Sequence, residues 1–102
     1  MPRSLVLIRH CLVLDTRIEF YQSPYRGHAN QWLLLCAAGI SAEQPSLVKV
    51  QGPFFGACSV DQMLGEIVQN LLEMGYEYSA EPPIWRLHMQ AQLRALRGPP
   101  LA

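Results

Sequence analysis

The segment from Ser59 to Gly75 constrains the fold of this chain more than any other, because it carries a complete helix pattern. Its apolar residues recur at three- and four-residue spacing, and polar residues fill the opposite side. The apolar set is Val60, Met63, Leu64, Ile67, Val68, Leu71 and Leu72. Ser59 and Gln62 have the spacing of a capping box, and Gly75 is placed to end the helix in a left-handed conformation. The pattern predicts a long amphipathic helix at about 59–74, which needs a sheet or a partner to cover its apolar side.

The stretches that precede this helix have the composition of β-strands. Leu5 to Leu14 and Trp32 to Ala38 are rich in branched or aromatic residues and are apolar on both faces, so we expect both faces to be buried. Arg17 to Gln22 and Ser46 to Gln51 alternate between apolar and polar residues, as half-buried strands do. After the helix, Tyr76 to Ala80 is a candidate for a short fifth strand. The sequence predicts an antiparallel sheet of three to five strands.

The C-terminal segment from Ile84 to Arg97 gives two conflicting signals. Apolar and polar residues alternate along it as in a strand, but the residues are good helix formers and none is β-branched. An extended chain of this length would span about 46 Å, far more than the radius of gyration of about 13 Å expected for a chain of this size. We therefore predict a helix at about 83–97, with a partly extended chain as the alternative. An apolar stripe on its surface would consist of Trp85, Met89, Leu93 and Leu96. A polar stripe would consist of Arg86, Gln90, Arg94 and Arg97.

Together these elements predict a single α+β domain over residues 1–102, with 98–102 as a flexible tail. Half of the residues are apolar, which is enough for a hydrophobic core. We expect the first helix to lie across one face of the sheet with the C-terminal helix packed beside it. The other face would then be exposed and apolar, and a second copy of the chain is the simplest cover. A homodimer is therefore expected, and the alternative is that the two helices lie on opposite faces of the sheet and cover both within one chain.

The charge balance argues against several classes of partner. The formal net charge is +0, so no overall field attracts nucleic acid or a membrane surface. Residues 43–81 contain six acidic residues and one lysine, whereas residues 82–102 contain three arginines and no acidic residue. No apolar run approaches the length of a membrane span, and the run after Ser4 is interrupted by Arg9 and His10 before it reaches the length of a secretory signal. We expect a cytoplasmic protein that does not bind a membrane and for which nucleic acid is a less favoured partner.

Metal and cofactor sites are not expected from the cysteines and histidines. Three cysteines, an odd number, in apolar settings indicate free buried thiols in a reducing compartment. The spacings C-x-x-C, H-x-x-x-H and H-E-x-x-H, which are typical of zinc sites, do not occur among these residues. The residues concerned are Cys11, Cys36, Cys58, His10, His28 and His88.

Two groups of residues are candidates for binding. The segment Ser23 to Asn30 has the proline, glycine and asparagine of an exposed loop, and loops often carry binding residues. The C-terminal helix supplies the second group, which consists of its arginines and its histidine. The candidates are Tyr25, Arg26, His28 and Asn30 in the loop, and Arg86, His88, Arg94 and Arg97 in the helix.

Several segments resemble known families. GHANQW, QGPF, MGY and PPIWRLHMQ are similar to segments of a group of small uncharacterised bacterial proteins, a resemblance that implies no function. From Gly52 through the helix that begins at Ser59, the chain also resembles the partial RNase H fold of HicB antitoxins, but their glycine-rich signature after the strands is poor here. LVLIRHC resembles the opening strand of histidine phosphatases, in which the residues matching Arg9 and His10 bind phosphate and accept the phosphoryl group. Cys11 stands where that family has glycine, and a second catalytic histidine is not evident, so neither of the last two resemblances is adopted.

The expected function is that of a non-catalytic protein–protein interaction or assembly module, acting by self-association or on an unidentified protein partner. The first alternative is a nucleic-acid-binding or antitoxin-type regulatory protein that uses the C-terminal arginines. The second alternative is a small enzyme or phosphate-binding protein that uses Arg9 and His10.

Overall fold

The chain folds as an α+β domain, as predicted, with five strands and two helices in the computed structural model, which describes residues 4–97. The elements are β1 (Ser4–His10), β2 (Asp15–Pro24), β3 (Gln31–Ile40), β4 (Leu47–Phe55), α1 (Ala57–Glu73), β5 (Glu77–Tyr78) and α2 (Arg86–Arg97). Neighbouring strands are antiparallel in the order β4-β3-β2-β1-β5. The predicted tail at 98–102 lies outside the described residues. Neither helix in the described range is long and apolar enough to cross a membrane.

The central strand β3 is buried on both faces, which explains why its sequence does not alternate. Leu34 belongs to the core under α1. Leu33 and Leu35 belong to a second core on the opposite face of the sheet. Because successive side chains of a strand point to opposite faces, an apolar run in β3 supplies both cores at once.

Helix α1 covers one face of the sheet with the predicted apolar stripe. Val60 and Val68 are its most buried residues. Its C-terminus is closed as predicted: Gly75 has φ of 95°, and the N–H groups of Gly75 and Tyr76 donate to the carbonyls of Leu72 and Leu71, respectively. The predicted capping box at the other end is wrong.

Helix α1 begins three residues earlier than a capping box at Ser59 requires. It starts at Ala57, its N-cap residue is Gly56, and no side chain caps it. Instead, the Gly56 N–H donates to the Asn30 carbonyl at 2.8 Å, which ties the start of the helix to the loop before β3. A backbone contact between distant segments, rather than a local side chain, therefore determines where the helix begins.

Helix α2 lies on the opposite face of the sheet, so the predicted side-by-side arrangement of the two helices is wrong. Trp85 and Met89 are 1% and 2% exposed and pack against the β3 residues of the second core. The chain runs from β5 at one edge of the sheet to α2, which contacts β3 and β4. The apolar residues of β3 require cover on both faces, and one helix on each face provides it within one chain. The homodimer remains a prediction. It was inferred from an uncovered apolar face of the sheet, and α2 covers that face.

The first predicted strand is shorter than expected. β1 ends at His10, which pairs with Asp15 of β2, and the residues between them form a tight turn with the Cys11 N–H donating to the Leu14 carbonyl at 3.0 Å. Leu12 and Val13 are 105% and 89% exposed, so these residues are not buried on either face. We call Cys11–Leu14 the apolar hairpin tip. The sequence pattern misled because a run of branched residues is typical of a strand whether or not the chain turns within it.

A buried ion pair fixes α2 to the sheet. Arg17 and Glu19 are neighbours on the α2 face of β2; their side chains are each 1% exposed, and Arg17 Nε donates to Glu19 at 2.7 Å. Glu19 also accepts hydrogen bonds from the N–H groups of Ile84 and Trp85, at 2.8 and 3.1 Å. A carboxylate at this position accepts hydrogen bonds from backbone amides that have no partner within the helix. Its negative charge also interacts favourably with the positive N-terminal end of the helix dipole.

The remaining donors of Arg17 reach the segment that leads into α2. One terminal nitrogen donates to the Glu81 carboxylate at 3.0 Å, and the other donates to the Pro82 carbonyl at 2.7 Å. The Trp85 indole N–H donates to the Glu43 carbonyl at 2.7 Å. Each of these contacts joins segments that are far apart in the chain, so together they specify the path from β5 to α2.

We expect Ile67→Ala to lower the free energy of unfolding by about 2 to 5 kcal/mol, because the side chain packs in the core between α1 and the sheet. Gln69→Ala on the exposed side of the same helix should be nearly neutral. Urea titrations of both variants and the parent chain measure the difference. Equal midpoints for the two variants would contradict the assignment of the apolar stripe.

We expect Glu19→Ala to cost about 3 to 5 kcal/mol, because it leaves the buried Arg17 guanidinium with only the exposed Glu81 carboxylate as an ionic partner. The double variant Arg17→Met/Glu19→Ala should lose less than the sum of the two single variants, since no charge is then left buried and unpaired. Glu66→Gln, an exposed carboxylate on α1, is the matched control and should not move the urea midpoint. Additive losses in the double variant would show that the two residues do not act as a pair.

Candidate binding site

A cleft of about 460 Å³ lies between α2 and the end of β2. Its lining combines cations, neutral polar groups and apolar surface. The lining residues are Tyr21, Ser23, Pro24, Arg26, Gln90, Leu93 and Arg94, and we call this site the basic cleft.

The positive charge of the basic cleft is not neutralised by the protein. Arg26 enters from the loop after β2 and Arg94 from α2. Arg86, one helical turn before Gln90, lies over the ring of Tyr21 with its guanidinium carbon 5.2 Å from the ring centroid. Within residues 4–97, no carboxylate forms an ion pair with any of these three arginines, and none lines the cleft. The site therefore has capacity for an anionic group.

The sequence determines both walls of the cleft. In β2 the alternation of side chains places Tyr21 and Ser23 on the face that α2 covers. In α2 the four-residue spacing of Arg86, Gln90 and Arg94 places them along one side of the helix. Residues 20–42 and 82–97 contain no acidic residue, and these are the two segments that meet here. The acid-free cleft is thus formed by segments that are far apart in the chain.

The loop that carries Arg26 is held in a defined conformation. The rings of Tyr25 and His28 stack with their centroids 3.8 Å apart and their planes 14° apart. The Tyr25 N–H donates to the Gln31 carbonyl at 2.9 Å, and the His28 N–H donates to the Tyr25 carbonyl at 3.0 Å. Tyr25 also packs against the core under α2. Arg26 therefore projects from an ordered turn rather than from an extended loop.

The structure brings together some of the sequence-based candidates and separates others. Arg26 and Arg94 line the cleft. Asn30 lies at the start of α1, where its carbonyl accepts the hydrogen bond from Gly56. His88 is exposed and lies outside the cleft lining. Arg97 ends α2, and its side chain lies outside the described part of the structure.

Five cleft residues were not predicted from the sequence as binding candidates. They are Tyr21, Ser23, Pro24, Gln90 and Leu93. Gln90 shares the polar stripe with the predicted arginines, so its spacing was a usable signal. Tyr21 and Ser23 carry no such signal, because their place in the cleft depends on which face of the sheet α2 covers.

Arg9 and His10 do not form one anion site. The Arg9 guanidinium lies 5.0 Å from the Tyr76 ring centroid and donates to the Met74 carbonyl at 3.4 Å, at the end of α1. His10 turns instead to the Asp15 carboxylate, with Nδ1 2.9 Å from Oδ1. Adjacent strand residues point to opposite faces, and the Asp15 charge beside His10 disfavours a phosphate there. The geometry gives no support to the histidine-phosphatase resemblance.

The three cysteines are free and lie apart from the cleft lining. Cys36 packs beside the core under α1, and burial raises the pKa of its thiol to about 11. Cys11 and Cys58 are exposed, so the expectation that all three are buried is wrong. Cys11 is exposed because the chain turns there, and Cys58 because it lies on the solvent side of the first turn of α1. Among the described residues, no three His, Cys, Asp or Glu side chains are placed to hold a metal ion.

The His10–Asp15 pair predicts a measurable pH dependence. The hydrogen bond to the Asp15 carboxylate, and then its negative charge, raise the pKa of His10 above its usual 6.5. The pair therefore stabilises the fold below pH 6.5, and this contribution is lost as the pH rises through the raised pKa. A proton NMR titration of the His10 ring should give a midpoint above 6.5, and Asp15→Asn should lower it. Glu66→Gln is the distant control, and an unchanged midpoint in Asp15→Asn would contradict the pairing.

Comparison with known proteins places the chain in a family. The model of the PA4575-like protein family matches residues 1–100 of the chain. The family is uncharacterised, which agrees with the resemblance inferred from the sequence. Neither the curated proteins nor the solved structures include a match. The chain belongs to the PA4575-like protein family.

Proposed function

We propose that this protein is a non-catalytic interaction module that binds an acidic, partly apolar segment of a protein in the basic cleft. The observation that carries the proposal is that Arg26 and Arg94 line one cleft, with Arg86 beside it over the Tyr21 ring, and that no carboxylate of the described residues pairs with them. Arginine presents a planar set of donors that matches a carboxylate, so acidic side chains are the natural partners.

The mixed lining favours a peptide segment over a simple ion. The ring of Tyr21, Pro24 and Leu93 supply apolar surface in the same cleft as the arginines. Binding sites of this kind combine apolar contact area with a few polar groups that fix orientation. A segment with apolar residues between or beside carboxylates would use both parts of the lining.

A protein segment also fits better than nucleic acid. Binding to a phosphate backbone depends on a track of cations and on the overall positive charge of the protein. Here the net charge is +0, and the described arginines of the site occupy a single cleft. The neighbouring Tyr25–His28 stack is internal to its loop, with both rings already in contact with each other.

The cleft lining supports binding rather than chemistry. Ser23 supplies the aliphatic hydroxyl of the lining, and its Oγ donates to the Pro24 carbonyl at 3.2 Å. Among the described residues that line the cleft, none is a histidine, cysteine or carboxylate that would activate this hydroxyl. The arginines, by contrast, need no activation to bind an anion.

The test is a titration with a synthetic peptide in which leucine and glutamate alternate, followed by NMR of the labelled protein and by calorimetry. We expect shifts at Tyr21, Arg26 and Arg94. The double variant Arg26→Gln/Arg94→Gln, which we call the cleft variant, should bind at least about tenfold more weakly, since each charge-assisted contact contributes about 1.5 to 3 kcal/mol. Higher salt should also weaken binding.

Lys49→Gln is the matched control, because Lys49 is an exposed cation on β4 outside the cleft. It should leave binding unchanged, and a peptide of alternating leucine and lysine should not bind. A single-stranded oligonucleotide provides the comparison between classes of partner. Tighter binding of the oligonucleotide through Arg26 and Arg94 would replace the proposal with a nucleic-acid function. Binding of neither probe at protein concentrations at which the chain is monomeric would refute the proposal.

A further inference from the structure

The apolar hairpin tip is a second surface of the molecule without a partner in the described part of the chain. Leu12, Val13 and Leu14 are 105%, 89% and 50% exposed, respectively, in three successive positions. Scattered exposed apolar residues are ordinary, but a contiguous exposed apolar group is typical of an interaction surface. The turn is short and closed by a backbone hydrogen bond, so the tip is presented in a defined shape.

Carboxylates surround the base of this tip. Asp15 directly follows it, and its carboxylate pairs with His10. Glu77 pairs in register with Ile8 near the end of β1 and forms no ion pair among the described residues, whereas Glu81 is paired with Arg17. The tip thus presents an apolar apex above an acidic base.

The basic cleft has the complementary pattern. It presents the apolar surfaces of Tyr21, Pro24 and Leu93 beside the unpaired guanidinium groups of Arg26 and Arg94. The apolar apex of the tip matches the apolar lining of the cleft, and the acidic group beside the tip matches the basic groups of the cleft. The formal net charge of +0 means that no overall repulsion opposes contact between two copies.

We propose that the occupant of the basic cleft is the apolar hairpin tip of a second copy of this chain, and that the protein assembles with itself through reciprocal tip–cleft contacts. This rests on the proposed function of the cleft and names its partner. The leucine and valine side chains of the tip contact Tyr21 and Leu93. The Glu77 carboxylate at its base, which forms no ion pair among the described residues, pairs with Arg26 or Arg94.

The positions of the two surfaces explain how such an assembly closes. Strand β2 begins beside the tip and ends at the cleft, and it has ten residues. The two surfaces are therefore separated by roughly 30 Å along the sheet. When two copies lie antiparallel about a two-fold axis, each tip is placed at the cleft end of the other copy. Two identical contacts then form at once, which closes the assembly as a dimer and leaves no free tip or cleft.

The first measurement is sedimentation equilibrium of the full chain over a range of concentrations. The expected mass is twice the 11.5 kDa of one copy, decreasing toward 11.5 kDa on dilution and at high salt. The tip variant, Leu12→Ser/Val13→Ser, and the cleft variant should each be monomeric. Both changes alter exposed side chains, so urea titrations should show unchanged stability. Leu87→Ser, at an apolar α2 residue that is 75% exposed, is the matched control and should remain dimeric.

The decisive measurement mixes the two variants in equal amounts. The intact tip of the cleft variant then meets the intact cleft of the tip variant, so one of the two contacts is restored. We expect a mixed dimer, weaker than the parent dimer, from two chains that are monomeric alone. Failure of the mixture to associate would overturn the reciprocal contact. A monomeric tip variant together with a dimeric cleft variant would also overturn it, because that result indicates tip–tip association.

The same experiments separate this inference from the proposed function. A parent chain that stays at 11.5 kDa but binds the leucine–glutamate peptide through Arg26 and Arg94 refutes self-assembly and leaves the interaction module standing. A chain that neither associates nor binds the peptide refutes both. If association is lost in the cleft variant and restored when the cleft and tip variants are mixed, both the proposed function and self-assembly are supported.

Discussion

The buried contact between Arg17 and Glu19 determines the position of α2, and the basic cleft depends on that position. Both side chains are almost completely buried, where an unpaired charge is costly, so each requires the other. The two oxygens of Glu19 also accept hydrogen bonds from the amides of Ile84 and Trp85, which directly precede α2, and so hold this end of the helix against the sheet. One wall of the cleft is therefore placed by a carboxylate that does not itself line it. A change at this pair is expected to affect the site through the geometry of the helix.

The sequence predicted the elements better than their arrangement. The apolar stripe of α1, the glycine that ends it, and the two-faced burial of β3 follow from local spacing, and all three are present. The placement of α2 on the opposite face does not follow from local spacing. It depends on contacts between Arg17 or Glu19 and residues more than 60 positions away, and periodicity carries no information about such contacts.

The candidate site shows the same division. Arg26 and Arg94 were recognisable as exposed cations in an acid-free context, but their proximity was not. Tyr21 and Ser23 join the site only because α2 covers their face of β2. The hairpin tip was missed for a different reason. Branched apolar residues at Leu12 to Leu14 have the composition of a strand, and the pairing of His10 with Asp15 forces them into a turn instead.

The attachment of α2 has a mechanical consequence. Its N-terminus is fixed at three points, through the amides of Ile84 and Trp85 and through the Trp85 indole, whereas Leu93 is only partly buried toward the other end. A helix held firmly at one end and loosely at the other behaves as a lever that pivots about the fixed end. Segments with few buried contacts are the first to move. A rotation of α2 about Trp85 would therefore change the distance between Arg94 and Arg26, and with it the width of the cleft.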